Sequence, residues 1–192
     1  MPDELQKYKN SFLDKYNLQR TTEIAMARGI AAATQHNSLY RFGLSLEGKN
    51  EAKETWRNFL QSLMERYITI QSEETYEKDI IALKDLMNSK HSKAFNATQH
   101  IKYKTDPGFR LSHAQKSISV FLKHLWCMDK VAAPPQCPVD RIILETAGKR
   151  YKDTKWGYVN AIEEHRTKID FLKDAKNTDQ SLAEWELMTF NP

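Results

Sequence analysis

Apolar residues recur every third or fourth position along most of the chain, the period of amphipathic helices. Leu5, Tyr8, Phe12 and Tyr16 predict a first helix over 3–18. A second follows over 21–37, capped by Thr21 or Thr22, where Ala25, Ala31, Ala32 and Ala33 would let another element come close. Gly43 and Gly48 punctuate the next stretch. Trp56, Phe59, Leu60, Leu63 and Tyr67 then share one face of a helix over 51–71, and Ile80, Leu83 and Met87 one face of a helix over 74–89. The stretch 91–104 fits helix or loop equally.

A turn at "KTDPGFR" follows, with Pro107 and Gly108 in the middle places of a type II turn. The helix beginning near Leu111 carries Ala114, Ile118, Phe121, Leu122 and Leu125 as its buried stripe. Ser112 and Gln115 form a capping box at its start. Ser112, Lys116, Ser119 and Lys123 fall on the opposite, outward side. After the proline-rich stretch "AAPPQCP", three more helices are predicted: 139–151 ending near Gly148, 156–176, and 181–190 with a Ser181–Glu184 capping box. Trp56, Trp156 and Trp185 are expected in the core. No strand-like alternation persists, so the expected fold is all-α, a compact bundle of about eight helices. The organisation is a single all-α domain over 1–192, or two packed helical lobes with a site between them near 109–144.

Composition agrees: of 192 residues 40% are hydrophobic, enough for a core without disulfides. Two cysteines make no secreted framework, no apolar signal core opens the chain, and no run approaches the ~18 apolar residues of a membrane span. The expectation is a reduced, cytoplasmic monomer with no membrane partner.

Charge changes the picture only locally. The net charge is +4, yet between Asn88 and Lys123 seven basic residues (Lys90, Lys93, Lys102, Lys104, Arg110, Lys116, Lys123) face one acid, Asp106. Such a block suits a phosphate backbone. Lys102, Tyr103 and Lys104 form a basic–aromatic patch suited to a nucleic-acid strand, and Phe109 and Arg110 are placed to wedge into a duplex or hold phosphate, or else to staple the turn. His113 and Lys123 are further candidate DNA contacts. His124, Cys127 and Cys137 lack a fourth ligand at a convincing spacing, so no metal is expected.

Two residues carry candidate chemistry. Lys116 and Asp140 open consecutive helices 24 residues apart. The positive end of a helix dipole opposes a lysine's charge and so favours the nucleophilic free amine, while it favours an aspartate as the anion. Asp140 also reads as an ordinary N-cap.

The stretch 111–144, with "LSHAQK" and "CPVDRIIL", resembles the helix-hairpin-helix superfamily of DNA glycosylases. The resemblance implies a helix-hairpin-helix glycosylase-like fold and excision of a flipped-out base from DNA, with no cofactor. It assigns Lys116 the role of amine nucleophile and Asp140 that of the essential carboxylate. A Schiff-base step would add strand cleavage; without it, Asp140 would activate water. The segment lacks the glycines usual in that hairpin, and the Lys–Asp connection is longer than in the common 8-oxoguanine enzymes. The excised base, damaged or phage-modified, stays open, as does repair against phage defence. The alternatives are a non-catalytic helical DNA-binding protein and a helical protein-interaction module.

Overall fold

The computed structural model describes residues 2–34, 39–95, 108–150, 155–176 and 179–190. Eight α-helices occur among them: α1 (Pro2–Tyr16), α2 (Thr22–Thr34), α3 (Leu46–Arg66), α4 (Glu73–His91), α5 (Leu111–Cys127), α6 (Arg141–Thr146), α7 (Ile162–Ala175) and α8 (Leu182–Phe190). Short 3₁₀ turns span Ser92–Ala94 and Trp156–Tyr158. No sheet forms among the described residues; a lone antiparallel bridge joins Tyr40 to Phe95.

Helix ends follow local chemistry. Thr21 Oγ1 accepts the Ile24 amide at 3.2 Å, and Ser45 and Ser72 cap α3 and α4 in the same way. Gly48 therefore lies inside α3 rather than before it. In α4, Glu73 and Glu74 open the helix and Lys90 and His91 close it, matching its dipole. Gly148, with φ +97°, ends α6: its amide reaches Glu145 O at 2.9 Å and the Lys149 amide reaches Leu144 O at 2.9 Å. The Ser181–Glu184 capping box forms in both directions.

The main departure from the sequence pattern is α5, whose residues are buried on every side, Val120 alone being half-buried. The face expected to meet solvent is clothed by other elements, and each polar group on it finds a partner, as buried polar groups must. Ser119 Oγ lies 2.5 Å from the Tyr76 hydroxyl; Ser117, nearer the apolar stripe, accepts the Trp56 indole N–H through Oγ at 2.7 Å. The other side packs on α2, where Ala25, Gly29 and Ala33 are buried. Ala31 is exposed and Ala32 half-buried; Gly29 makes the closest approach in their place.

The start of α5 also differs. The helix begins at Leu111, one residue before the expected box, so Ser112 is inside it. Its first amides are satisfied from a distance: Leu111 N donates to Asn160 Oδ1 at 3.2 Å and Ser112 N to Val159 O at 3.0 Å. Gly157 O accepts from Ser112 Oγ at 2.9 Å and from Arg110 Nε at 2.9 Å. This duty keeps 157–160 out of a helix. The single helix expected over 156–176 is thus a 3₁₀ turn, a short extended link and α7.

The apolar core falls into two clusters. The larger gathers α1 to α5 with Val159, Ala183 and Leu187. The smaller gathers Cys137, Val139, Ile143, Leu144, Ile169, Leu172 and Leu182, with Trp156 and Trp185 against it. The connection from α5 to α6 passes from one cluster to the other.

Candidate active site

Lys116 comes from the large cluster and Asp140 from the edge of the small one. Lys116 projects from the second turn of α5, and its Nζ donates to Asp140 Oδ2 at 2.5 Å. The side chains are 10% and 22% exposed. Asp140 caps α6 as well: its Oδ1 accepts the Ile143 amide at 2.9 Å. One oxygen caps the helix while the other faces the amine. Lys116 stands in the second turn, past the first turn in which the helix dipole acts, and a full anion contacts it instead.

Burial pushes the Asp140 pKa up, but the Lys116 charge and hydrogen bond, the Ile143 amide and the Lys123 charge outweigh it. The carboxyl is held below its ordinary value and is ionised at neutral pH. The Trp156 ring lies half-buried beside the pair, its centroid 5.8 Å from Lys116 Nζ. Trp156 packs against the edge of the smaller apolar cluster as expected, half-buried rather than central, and from its 3₁₀ turn it also borders the pair.

The connection that delivers Asp140 is tied down along its length. Ala132 N donates to Tyr67 O at 2.8 Å. Gln136 is fully buried; its Oε1 accepts from His165 Nε2 at 2.8 Å, and its Nε2 lies 3.5 Å from Glu77 Oε1. Arg166 closes the network with two bonds to Glu77 Oε2, at 2.9 and 2.7 Å. Burial, then the Lys168 and Arg166 charges, lower the His165 pKa to about 4, so its ring is neutral. Nothing in the spacing of Glu77, Gln136 and His165 signals this long-range network.

The expected DNA contacts fare differently. Lys102, Lys104 and Tyr103 lie outside the described residues, as do Pro107 and the rest of its turn before Gly108. Phe109 is fully buried, edge-on to Trp56 at 4.8 Å, with its backbone held by Asn88. Among the described residues it is enclosed against Trp56 and Phe95, the place of a staple. Arg110 is buried, bonded to Gly157 O and stacked on Tyr158 at 5.6 Å. His113 Nδ1 accepts the Arg110 amide at 2.9 Å, and burial, with the Arg110 charge, lowers its pKa to about 3. Lys123 is paired with Glu186 at 2.6 Å between the rings of Phe12 and Phe190. In this arrangement Arg110, His113 and Lys123 position α5 rather than meet a phosphate.

His124 and Cys127 belong with the large cluster and Cys137 with the small one. Among the described residues no group of three His, Cys, Asp or Glu side chains is placed to hold a metal ion. Burial raises the Cys127 thiol pKa to about 12 and lifts that of Cys137 well above its usual value, which makes both poor nucleophiles. Among the described residues no helix is long and apolar enough to cross a membrane.

No family model, curated protein or solved structure matches this chain.

Proposed function

We propose that the protein is a DNA glycosylase that excises a damaged or modified base, with Lys116 and Asp140 as its catalytic residues. The contact between Lys116 Nζ and Asp140 Oδ2 at 2.5 Å carries this reading. A target base first leaves the helix stack, at a cost of a few kcal/mol (roughly 2–4), because its glycosidic bond is out of reach in the duplex. Cationic character then develops at C1′ as the base departs with the bonding electron pair, and the Asp140 anion stabilises it. Lys116 gives a proton to the departing base and attacks C1′ through the lone pair this frees, and the attached nitrogen then passes a proton to the ring oxygen. Opening of the sugar ring gives an imine, and loss of a C2′ proton with departure of the 3′ phosphate cleaves the strand. A Lys116 that remains protonated leaves the other route, in which Asp140 takes a proton from water as the water attacks C1′ and the product is an intact abasic site.

The Asp140 cap to Ile143 supports the second reading, a non-catalytic helical DNA-binding protein in which the aspartate is structural. Asparagine separates the two, because it caps a helix as well as aspartate does but carries no charge. Wild type, Asp140→Asn and Lys116→Gln are incubated with duplexes bearing damaged and phage-type modified bases. Abasic sites are read by alkali cleavage, and imines by borohydride trapping. Base release by wild type that disappears in Asp140→Asn, with DNA binding retained, is the expected result. Trapping lost in Lys116→Gln adds the lyase step. No release from any substrate, with binding intact, establishes the binding-protein reading.

A further inference from the structure

The two apolar clusters do not merge, so what joins them decides how firmly the Lys116–Asp140 pair is enclosed. α8 packs on both, with Leu182 in the small cluster and Ala183 and Leu187 in the large one. α6 and α7 instead meet α4 and α5 across a polar seam. Three ion pairs cross it among the described residues: Lys116 with Asp140 at 2.5 Å, Arg166 with Glu77 at 2.7 Å and Lys173 with Glu73 at 2.7 Å. Gln136 adds a neutral link, bonded to His165 on α7 and facing Glu77 on α4. The polarity alternates, for α5 offers a cation to the cap of α6 while α4 offers two anions to α7.

The chain reaches this leaf from two fixed points. Ala132 N is bonded to Tyr67 O at 2.8 Å before the first crossing, and Ser112 N to Val159 O at 3.0 Å before the second. Ile162, the first residue of α7, still packs against the large cluster. Beyond it the ties become more exposed along the helix. The Glu77 side chain is 9% exposed, whereas Glu73 and Lys173 at the far end are 41% and 35% exposed. Salt screens pairs as exposed as these, while apolar burial carries no charge to screen. The seam is therefore the joint that yields first, and its outermost pair is the latch. Lys116, nearly enclosed when the seam is shut, is the group that opening would bare.

We infer that α6 and α7 form a salt-sensitive leaf, latched by Glu73 and Lys173, that detaches from α4 and α5 as a unit and gives a ligand access to Lys116 and Asp140. The leaf goes beyond the glycosylase reading, because a binding protein with the same seam would open in the same way. Hydrogen exchange read by mass spectrometry tests it, at about 0.1 M and about 1 M sodium chloride. Reductive methylation of Lys116 by formaldehyde and cyanoborohydride reports access to the amine. At the higher salt, peptides from α6 and α7 are expected to exchange about tenfold faster while those from α2 and α5 keep their rates. Methylation of Lys116 should rise with them. Lys173→Glu, which sets two acids face to face at a half-exposed position, should produce both changes at the lower salt. Glu73→Lys together with Lys173→Glu should return the rates most of the way, since each new charge lies against its own helix dipole. Four results overturn the leaf: α6 and α7 exchange at one rate in both salts, α2 and α5 accelerate equally, the charge swap exchanges as fast as Lys173→Glu, or Lys116 methylation stays slow while α7 loosens.

Discussion

Gly29 lies so close to α5 that a Cβ added to it would stand 2.8 Å from the carbonyl oxygen of Ser117 and 3.1 Å from Phe121 Cβ. The first obstacle is backbone in the middle of a buried helix, which cannot swing aside. Helix propensity alone favours alanine over glycine by about 1 kcal/mol. Gly29→Ala is nevertheless expected to destabilise, by about 1–2 kcal/mol net, because separating α2 from α5 is an overpacking cost. Urea unfolding midpoints measure it. A variant as stable as wild type would show that the two helices do not pack this closely.

Lys123 and Glu186 make the most deeply buried ion pair among the described residues, with side chains 6% and 5% exposed, and they tie α8 to α5. Removing one partner strands a charge. Lys123→Met is therefore expected to cost about 3–5 kcal/mol, whereas Lys123→Met with Glu186→Leu should recover most of that loss. The double-mutant cycle, read by denaturant unfolding, gives the coupling. Additive losses would mean the two charges do not meet.

Acid should weaken the protein well before its carboxylates protonate. Burial lowers the pKa of His113 and His124 to about 3 and of His165 to about 4, whereas an unfolded histidine titrates near 6.5. As pH falls below about 6.5 the unfolded chain takes up these protons and the folded one does not, so stability declines. The decline continues through about pH 4 for His165 and about pH 3 for the other two. Each histidine contributes a slope of about 1.4 kcal/mol per pH unit at most. His124→Phe should flatten the profile of unfolding free energy against pH between 6 and 4. Its ring packs on Phe12 at 4.7 Å and its Nδ1 has no hydrogen-bond partner among the described residues, so little is lost at neutral pH. An unchanged slope would place His124 in solvent.

Helical periodicity reveals the helices because Leu60 and Leu63 in α3, Ile80, Leu83 and Met87 in α4, and Ile118, Leu122 and Leu125 in α5 repeat at the three- and four-residue spacing that packing requires, and Ser181 with Glu184 mark a boundary through purely local bonds. Lys116 and Asp140 were legible as a pair only through their places at two helix starts. The burial of α5 was not legible. Ser119 and Lys123 look solvated in sequence, since the groups that satisfy them (Tyr76, Glu186) lie 43 and 63 residues away. The same long-range pairing turned Arg110 inward and Trp156 toward Lys116.

Asp140 permits a test in which stability and chemistry move apart. Asp140→Ala removes both the cap to Ile143 and the anion beside Lys116, whereas Asp140→Asn removes only the anion. Loss of a cap costs about 1 kcal/mol. Leaving Lys116 with 10% exposure and no counter-charge adds a further cost in both variants. Alanine should therefore unfold at lower denaturant than asparagine, by the value of the cap alone. If the proposed glycosylase activity holds, base release should nonetheless be lost to the same extent in the two, because each lacks the anion proposed to stabilise C1′. The comparison needs unfolding midpoints and single-turnover release rates on one substrate. Release rates that track the midpoints instead, with asparagine active and alanine not, would assign Asp140 to the helix alone and leave Lys116 without its catalytic partner.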